Sequence, residues 1–377
     1  MTTCEDLVAA ARSLSKNQDA LRKLVAGGPC TGIANFLPLE KAGLLRRGQT
    51  SGYFLSGAAT YLDEAAVLKI LWDLIEHGRV GNEHVDQSAW VLSAISRQLC
   101  AHIGPTDSNT RRLTQLLQKV QRSVPLNSLA AVDYGLGAPI DLRRGGNCVL
   151  HAHVLGHLVS SAFPDASVSC ILADDGLHFA VRAVLDDAVY LLDTTALVPD
   201  RALVVPPLGD GPSAAKAYES AGRVPTALVL LHRCAAENVV MSGFYAGVGK
   251  VRERHYRFDL SAPPTDPRPY LRDGDYVRAV VKADGLLVNR VYSEEFGFLS
   301  WYKPLQKGAR LVAPTDPRTR ETVALEKDDS AFCAFLRAAN LGCEDLDAQA
   351  IRAVDWINEN CGRARIPPIR QTWGQGS

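Results

Sequence analysis

A cysteine that follows two glycines and an asparagine constrains the fold more than any other feature of this 377-residue chain. Asn147 is a good helix N-cap residue, and Gly145 and Gly146 let the backbone turn tightly into a helix. The apolar run that begins at Cys148 extends to Phe163. We therefore expect Cys148 in the first turn of a helix, where the helix dipole and the backbone amides favour a thiolate and can bind an oxyanion.

Two further residues fall on neighbouring predicted strands. His178 begins one strand, Asp193 ends the next, and Asp186 and Asp187 form the turn between them. If the turn has two residues, alternation places the His178 and Asp193 side chains on one face of the sheet as diagonal neighbours. A three-residue turn would put them on opposite faces. The order of nucleophile on a helix, base on a strand and orienting acid on the next strand is that of a cysteine acyl-transfer enzyme.

These residues resemble a known family. A glycine-flanked Cys that opens a helix, followed by a His and an Asp on successive strands, looks like the transglutaminase-like division of the papain-like fold. The string from Arg144 to Cys148 is also similar to the Arg-Gly-Gly-x-Cys motif of arylamine N-acetyltransferases, which share that core. The resemblance covers about 60 residues, roughly 140 to 197.

The resemblance and the residue pattern give each residue an expected role. Cys148 is the nucleophile, His178 accepts and returns its proton, and Asp193 orients the imidazole. The residues expected to support the motif and the oxyanion site are Arg144, Gly145, Gly146 and Asn147.

The fold class predicted from the whole pattern is α+β. We expect a helical N-terminal domain over residues 1–125. A papain-like, transglutaminase-like core with additional β structure follows over 126–325, and a helical C-terminal segment over 326–377 completes the chain. Helices are predicted from Thr3 to Gly27, over 62–77 and 85–103, and from Ser108 towards Pro125. Strands are predicted at 167–173, 178–185, 188–194, 227–234, 239–245, 251–258, 276–282, 286–291 and 298–302.

The predicted reaction is thiol-dependent transfer of an acyl group through a cysteinyl thioester to an amine or to water. A transglutaminase-like enzyme would use a peptide amide, an ester or a thioester as donor and would form amides, deamidate or hydrolyse. One alternative is an arylamine N-acetyltransferase-like enzyme that takes acyl groups from an acyl-CoA or an acyl carrier. A second alternative is an inactive protein-binding module that has kept the three residues. No cofactor is expected.

Three histidines on the same predicted helix leave other readings open. His153 and His157 are four residues apart, which is a spacing seen in metal sites. The glutamate of an HExxH motif is absent between them, so we expect a packed or partly exposed helix face rather than a metal site. His151 is three residues from Cys148 and competes with His178 as a candidate base.

Charge and cysteine usage bound the remaining possibilities. Lys+Arg and Asp+Glu both total 41, and this zero balance argues against a nucleic-acid partner. The N-terminus is acidic and lacks a signal-peptide pattern, and we expect no membrane partner. The nine cysteines are scattered without a CxxC motif, which predicts a reducing, cytoplasmic location.

Aromatic residues recur after Asp193 among the predicted strands. They either line an acyl or acceptor pocket beside the cysteine or fill the core of a β layer. The residues in question are Phe244, Tyr245, Tyr256, Tyr292, Phe296, Phe298, Trp301 and Tyr302.

Overall fold

The computed structural model describes residues 4–31, 36–49, 52–77, 87–101, 107–195, 198–218, 225, 227–247, 250–294, 297–306, 312–314, 322–324 and 346–359. The α-helices are α1 Cys4–Ser15, α2 Gln18–Val25, α3 Leu37–Lys41, α4 Glu64–His77, α5 Gln87–Ala101, α6 Ser108–Ser123, α7 Ser128–Gly135, α8 Cys148–Ala162, α9 Gly274–Asp284 and α10 Leu346–Glu359. The strands are β1 Leu45–Arg47, β2 Tyr53–Leu55, β3 Leu126–Asn127, β4 Ser167–Leu172, β5 Phe179–Leu185, β6 Ala188–Leu192, β7 Val198–Pro199, β8 Leu203–Val204, β9 Ser213–Tyr218, β10 Ala227–Arg233, β11 Asn238–Gly247, β12 Lys250–Asp259, β13 Leu286–Ser293, β14 Gly297–Pro304, β15 Val312–Pro314 and β16 Thr322–Ala324.

Helix α8 packs on a small sheet that is covered on both faces. The strand order of this sheet is β4-β5-β6-β8. One face carries Phe179 and Val181 against α8 and α6. The other face carries Ile171 and Leu191 against a second sheet of order β12-β11-β10-β9-β7. The structure is therefore a mixed α+β fold in which α8 and two sheets lie in successive layers.

Two further groups of elements surround this centre. The N-terminal helices α1, α4 and α5 share a core cluster with Leu228, Leu230 and Phe244 of the second sheet. A third sheet, of order β16-β15-β14-β13-β3, shares a core cluster with α7, α9 and α10. The domain boundaries at residues 125 and 325 stay predictions.

The hairpin on which the predicted site depends has the expected register. Leu185 pairs with Ala188, which leaves Asp186 and Asp187 as a two-residue turn. Both turn residues have positive φ, 46° and 64°, as tight hairpin turns require. This two-residue turn is the one on which the expected proximity of His178 and Asp193 depends.

The N-terminal region departs from the predicted all-helical pattern in two places. The first helix is divided at Asn17, whose side-chain oxygen accepts a hydrogen bond from Ala20 N at 3.0 Å and so caps a new helix, α2. In addition, β1 and β2 form an antiparallel hairpin. Gly48 N donates to Gly52 O at 2.8 Å inside that turn, so the two glycines close a hairpin where helix or loop was expected.

The strand predicted at 276–282 is wrong, because this segment is helix α9. Its valines favoured a strand, but the flanking residues determine the structure. Asp273 Oδ1 accepts hydrogen bonds from Asp275 N and Tyr276 N, which caps the first turn. Gly285, at φ 70°, ends the helix in the left-handed conformation. Tertiary packing on α7 then buries the apolar face of α9.

The other predicted strands agree with the structure to within a few residues. The C-terminal helix α10 falls within the predicted helical segment and buries Val354 and Ile357. Residues 326–345 and 360–377 of the predicted C-terminal helical segment lie outside the described residues. Within the described ranges, no helix combines the length and the apolar character that crossing a bilayer demands.

Candidate active site

Cys148 is the first residue of α8, as the sequence predicts. Asn147 has extended backbone angles, and its side-chain oxygen accepts a hydrogen bond from Val149 N at 3.2 Å. Cys148 is buried, with 6% of its surface exposed. The thiol therefore lies at the N-terminal, positive end of the α8 dipole and has little contact with water.

The loop before Cys148 is held by contacts that explain its glycines. Gly145 has φ +74°, and a Cβ there would lie 1.9 Å from Pro125 O. Gly146 N donates to the same carbonyl at 3.1 Å. The Asn127 side chain donates to Arg144 O at 2.9 Å, and the Arg144 guanidinium pairs with a carboxylate of α7. Arg144 and Gly145 thus fix the path of the loop into α8.

Replacing Gly145 with alanine should strongly destabilise the protein. The new Cβ must displace backbone at Pro125 and also adopt a left-handed conformation, so we expect a loss of about 3 kcal/mol or more, measured by denaturant unfolding. Gly176→Ala is the matched control, because Gly176 has φ +70° but nothing within 4 Å of its added Cβ. Equal losses in the two variants would mean that the contact with Pro125 does not constrain the loop.

His178 and Asp193 form a buried hydrogen-bonded pair. His178 Nε2 donates to Asp193 Oδ2 at 2.7 Å. The other carboxylate oxygen accepts from Thr195 N at 2.8 Å and from Thr195 Oγ1 at 3.0 Å. Because both oxygens have partners, the carboxylate has a fixed orientation, and through it the imidazole ring is fixed as well.

The His178 imidazole is electrostatically unusual. Burial by itself would lower its pKa, but the charge and hydrogen bond of Asp193, together with the adjacent Cys148 thiol, raise that pKa to about 10. Since Nε2 is bound to Asp193, Nδ1 is the ring nitrogen that remains for the thiol. An imidazole that binds a proton this strongly is suited to accept the proton of an adjacent nucleophile.

Tyr256 of β12 covers the imidazole. Its ring stacks on His178 with 4.0 Å between ring centroids and 26° between planes. The Arg254 guanidinium lies 5.7 Å from the Tyr256 ring centroid and pairs with Asp284 at the end of α9. Tyr256 belongs to the aromatic set singled out in the sequence, and it lies beside the candidate site. The second sheet thus supplies one wall of the site.

Tyr276 of α9 is a member of the site that the sequence did not indicate. Its hydroxyl lies 3.6 Å from Cys148 Sγ and donates to Leu177 O at 2.8 Å. Cys148 Sγ also lies 3.7 Å from Leu177 O. In the sequence, α9 is indicated by Asp273, a good N-cap residue, and by Gly285, a good C-cap residue. No sequence signal links that helix to a cysteine 128 residues earlier.

A second set of contacts lies behind Asp193. The buried guanidinium of Arg290 donates to Thr194 O at 3.4 Å and to Thr195 O at 3.1 Å. Burial lowers the pKa of Arg290 to about 10. Arg290 belongs to β13, so a strand of the third sheet binds the two residues that follow Asp193.

The His151 side chain is not placed to act as the base for Cys148. Its Nε2 donates to Pro125 O at 3.2 Å, and its Nδ1 is 3.0 Å from Thr194 Oγ1. Burial lowers the pKa of His151 to about 4, so the ring is neutral and Nδ1 accepts from the threonine. Both nitrogens are therefore engaged away from the thiol. Over the described ranges, no three His, Cys, Asp or Glu side chains come together as metal ligands.

The remaining aromatic residues divide between core and surface. Trp301 is almost completely buried in the core between α7, α9, α10 and β13, and Phe298 is also buried. Tyr302, next to Trp301 on the opposite face of the strand, is partly exposed. Phe296 lies outside the described residues. Trp301 thus fills core, as one of the two sequence alternatives states.

The geometry as a whole combines a buried thiol at a helix N-terminus, an imidazole that binds protons strongly and a carboxylate with a fixed orientation. Such a set can deprotonate a thiol, form a covalent bond from sulfur to an electrophilic carbon and return a proton to a leaving group.

Comparison with known proteins gives structural similarities at low identity. No family model matches the sequence, and no curated protein matches it. The arylamine N-acetyltransferase of Mycobacterium marinum, solved in complex with CoA, is 15% identical with a TM-score of 0.42, over 69% of this chain and 97% of that one. The arylamine N-acetyltransferase of M. tuberculosis is 16% identical with a TM-score of 0.42, over 69% and 97%. That of Mycobacterium abscessus is 15% identical with a TM-score of 0.43, over 70% and 93%.

Proposed function

We propose that the protein is an enzyme that transfers acyl groups through a thioester on Cys148. The observation that carries the proposal is the 2.7 Å bond between His178 and Asp193, with the same imidazole adjacent to the Cys148 thiol. A buried histidine that only stabilises the fold does not need a cysteine beside it. A histidine that accepts the proton of a nucleophile must have that nucleophile adjacent to it, as His178 has Cys148.

In the first half of the reaction, the Cys148 proton passes to His178 Nδ1. The sulfur attacks the carbonyl carbon of the donor, and the carbonyl electron pair moves to oxygen. Amides at the start of α8 stabilise the resulting oxyanion. When the intermediate collapses, the bond to the leaving group breaks, that group takes the proton from His178, and the thioester remains on sulfur.

In the second half, an amine or a water molecule attacks the thioester carbonyl. His178 takes the proton of the attacking group, the bond from carbon to sulfur breaks, and the Cys148 thiolate is released as the leaving group. Asp193 stabilises the imidazolium in both halves without accepting its proton. The products are an amide or a carboxylic acid and the regenerated enzyme.

Two donor classes fit this chemistry. A peptide amide is the donor of the transglutaminase-like reading. An acyl thioester such as acyl-CoA is the donor of the arylamine N-acetyltransferase-like reading, which the string from Arg144 to Cys148 favours. Both readings share the same cysteinyl thioester, so the donor distinguishes them and the acceptor distinguishes transfer from hydrolysis.

The test is the intact mass of the protein after exposure to one donor of each class. p-Nitrophenyl acetate, acetyl-CoA and a peptide with an internal glutamine represent ester, thioester and amide. We expect one acyl group on Cys148 with at least one of them, located by peptide mapping. The Cys170→Ser variant should form the same adduct, because Cys170 donates to Ala152 O away from the site.

Absence of an adduct with all three donors, together with equal iodoacetamide reactivity of Cys148 and the other cysteines, would support the inactive binding module instead. An adduct found only on another cysteine would contradict the assignment of the nucleophile.

A further inference from the structure

We infer that Tyr276 is a further catalytic residue, whose phenol donates a hydrogen bond to the Cys148 sulfur when the sulfur carries negative charge. The inference rests on the proposed function, because it concerns the same nucleophile. Tyr276 would act on the Cys148 thiol in addition to His178 and Asp193. It lies outside the 60 residues that carry the sequence resemblance.

The first observation is geometric. Three atoms form a triangle, with Tyr276 OH 2.8 Å from Leu177 O, Tyr276 OH 3.6 Å from Cys148 Sγ and Cys148 Sγ 3.7 Å from Leu177 O. While the sulfur is protonated, the phenol donates to Leu177 O. A rotation about the bond from ring to oxygen brings the same proton to sulfur without any movement of the backbone.

The second observation is the order of acceptor strength. Hydrogen bonds to ionised acceptors are about twice as strong as those to neutral ones. Once the Cys148 proton has passed to His178, the sulfur is therefore a better acceptor than the Leu177 carbonyl. The preference is larger here than in water, because Cys148 and Tyr276 are both buried.

The third observation concerns the proton on the phenol. Burial, the charge of Cys148 and the hydrogen bond with its thiol together raise the pKa of Tyr276 well above its ordinary value. The phenol therefore stays protonated wherever the sulfur is ionised, and it acts as a donor. The other titratable groups that face this pair are His178, Asp175, Tyr256 and Tyr270.

The packing of the ring keeps the hydroxyl in place. The Tyr276 ring meets Phe179 of β5 edge-on at 6.1 Å and Tyr270 edge-on at 5.2 Å. Asp273 caps the first turn of α9 at Tyr276 N. A ring fixed on two sides and at its backbone loses little further freedom when its hydroxyl turns to the sulfur, so the hydrogen bond costs little entropy.

The experiment measures the rate of Cys148 alkylation by iodoacetamide as a function of pH, resolved by peptide mapping, in the wild type and in Tyr276→Phe. Phenylalanine keeps the ring and removes only the hydroxyl. We expect the pH of half-maximal alkylation to rise by about one unit, which is the size of one lost hydrogen bond to a charged group. The melting temperature should change little.

Tyr270→Phe is the matched control, since Tyr270 belongs to the same aromatic cluster. A shift confined to Tyr276→Phe supports the inference. No shift, or equal shifts in the two variants, overturns it. A shift to lower pH also overturns it, because the thiol would then donate to the phenol and the hydroxyl would stabilise the neutral sulfur.

Failure of this inference and failure of the proposed function give different results. The alkylation profile needs no acyl donor, so it reports on the thiolate even if none of the donors forms an adduct. Conversely, an acyl adduct on Cys148 with an unchanged profile in Tyr276→Phe would keep the proposed function and remove the role of Tyr276.

Discussion

Replacing Cys148 with serine should lower the rate of acyl transfer by about four orders of magnitude or more and leave the fold intact. Serine keeps the size of the side chain and its place after the Asn147 cap. Its hydroxyl remains protonated beside the imidazole, so it cannot match a thiolate as nucleophile. The measurements are kcat/KM with the donor that forms the adduct and the melting temperature of each protein.

Cys170→Ser is the control for this loss. Burial, with a smaller contribution from Asp266, raises the pKa of Cys170 to about 11, so its sulfur remains a thiol at neutral pH. The control should keep nearly full activity. If Cys148→Ser or Cys148→Ala retained more than about a tenth of wild-type kcat/KM, the central assignment would be wrong.

The second large effect is expected for Asp193→Asn, with a loss of about three to four orders of magnitude in kcat/KM. The amide keeps the shape of the side chain, but it has no charge to stabilise the imidazolium, and it favours the wrong tautomer of His178. A loss below about threefold would mean that Asp193 is not the orienting acid.

The same variant should change how stability depends on pH. The pKa of His178 is about 10 in the folded protein and near 6.5 for a free histidine. Its contribution to the free energy of unfolding is therefore fully present below pH 6.5 and is lost as the pH rises towards 10. Without the Asp193 charge the folded pKa falls, so the melting temperature of Asp193→Asn should decline less over this range.

Asp187→Asn is the matched control for both measurements. Asp187 has φ 64° in the hairpin turn, a conformation that asparagine also tolerates, and its side chain is exposed. Its kcat/KM and its pH dependence of stability should follow the wild type. A decline as shallow as that of Asp193→Asn would show that the slope does not come from the pair of His178 and Asp193.

The parts of the site that the sequence predicted are those governed by local rules. A two-residue turn at Asp186 and Asp187 fixes the register of the hairpin, and register fixes which side chains share a face. Asn147 and the glycines before it encode the start of α8 in the same way. Local geometry therefore suffices to place His178 and Asp193 together on one face of the sheet.

The parts that the sequence did not predict depend on packing between distant elements. The valines of α9 resemble a strand, and only the caps at Asp273 and Gly285 oppose that reading. Tyr256 was one of eight aromatic residues that the sequence analysis named together. Its stacking on His178 results from the packing of two sheets. Neither contact leaves a pattern within the 60 residues that carry the motif.

The long separation between Cys148 and Tyr276 has a consequence for biosynthesis. During translation at roughly 5 to 20 residues per second, the 128 residues between them take about 6 to 26 seconds to synthesise. For most of that interval the nascent chain carries Cys148 without Tyr256, and for all of it without the Tyr276 phenol and without Arg290 of β13. The full set of groups around Cys148 can therefore assemble only after β12, α9 and β13 have been made.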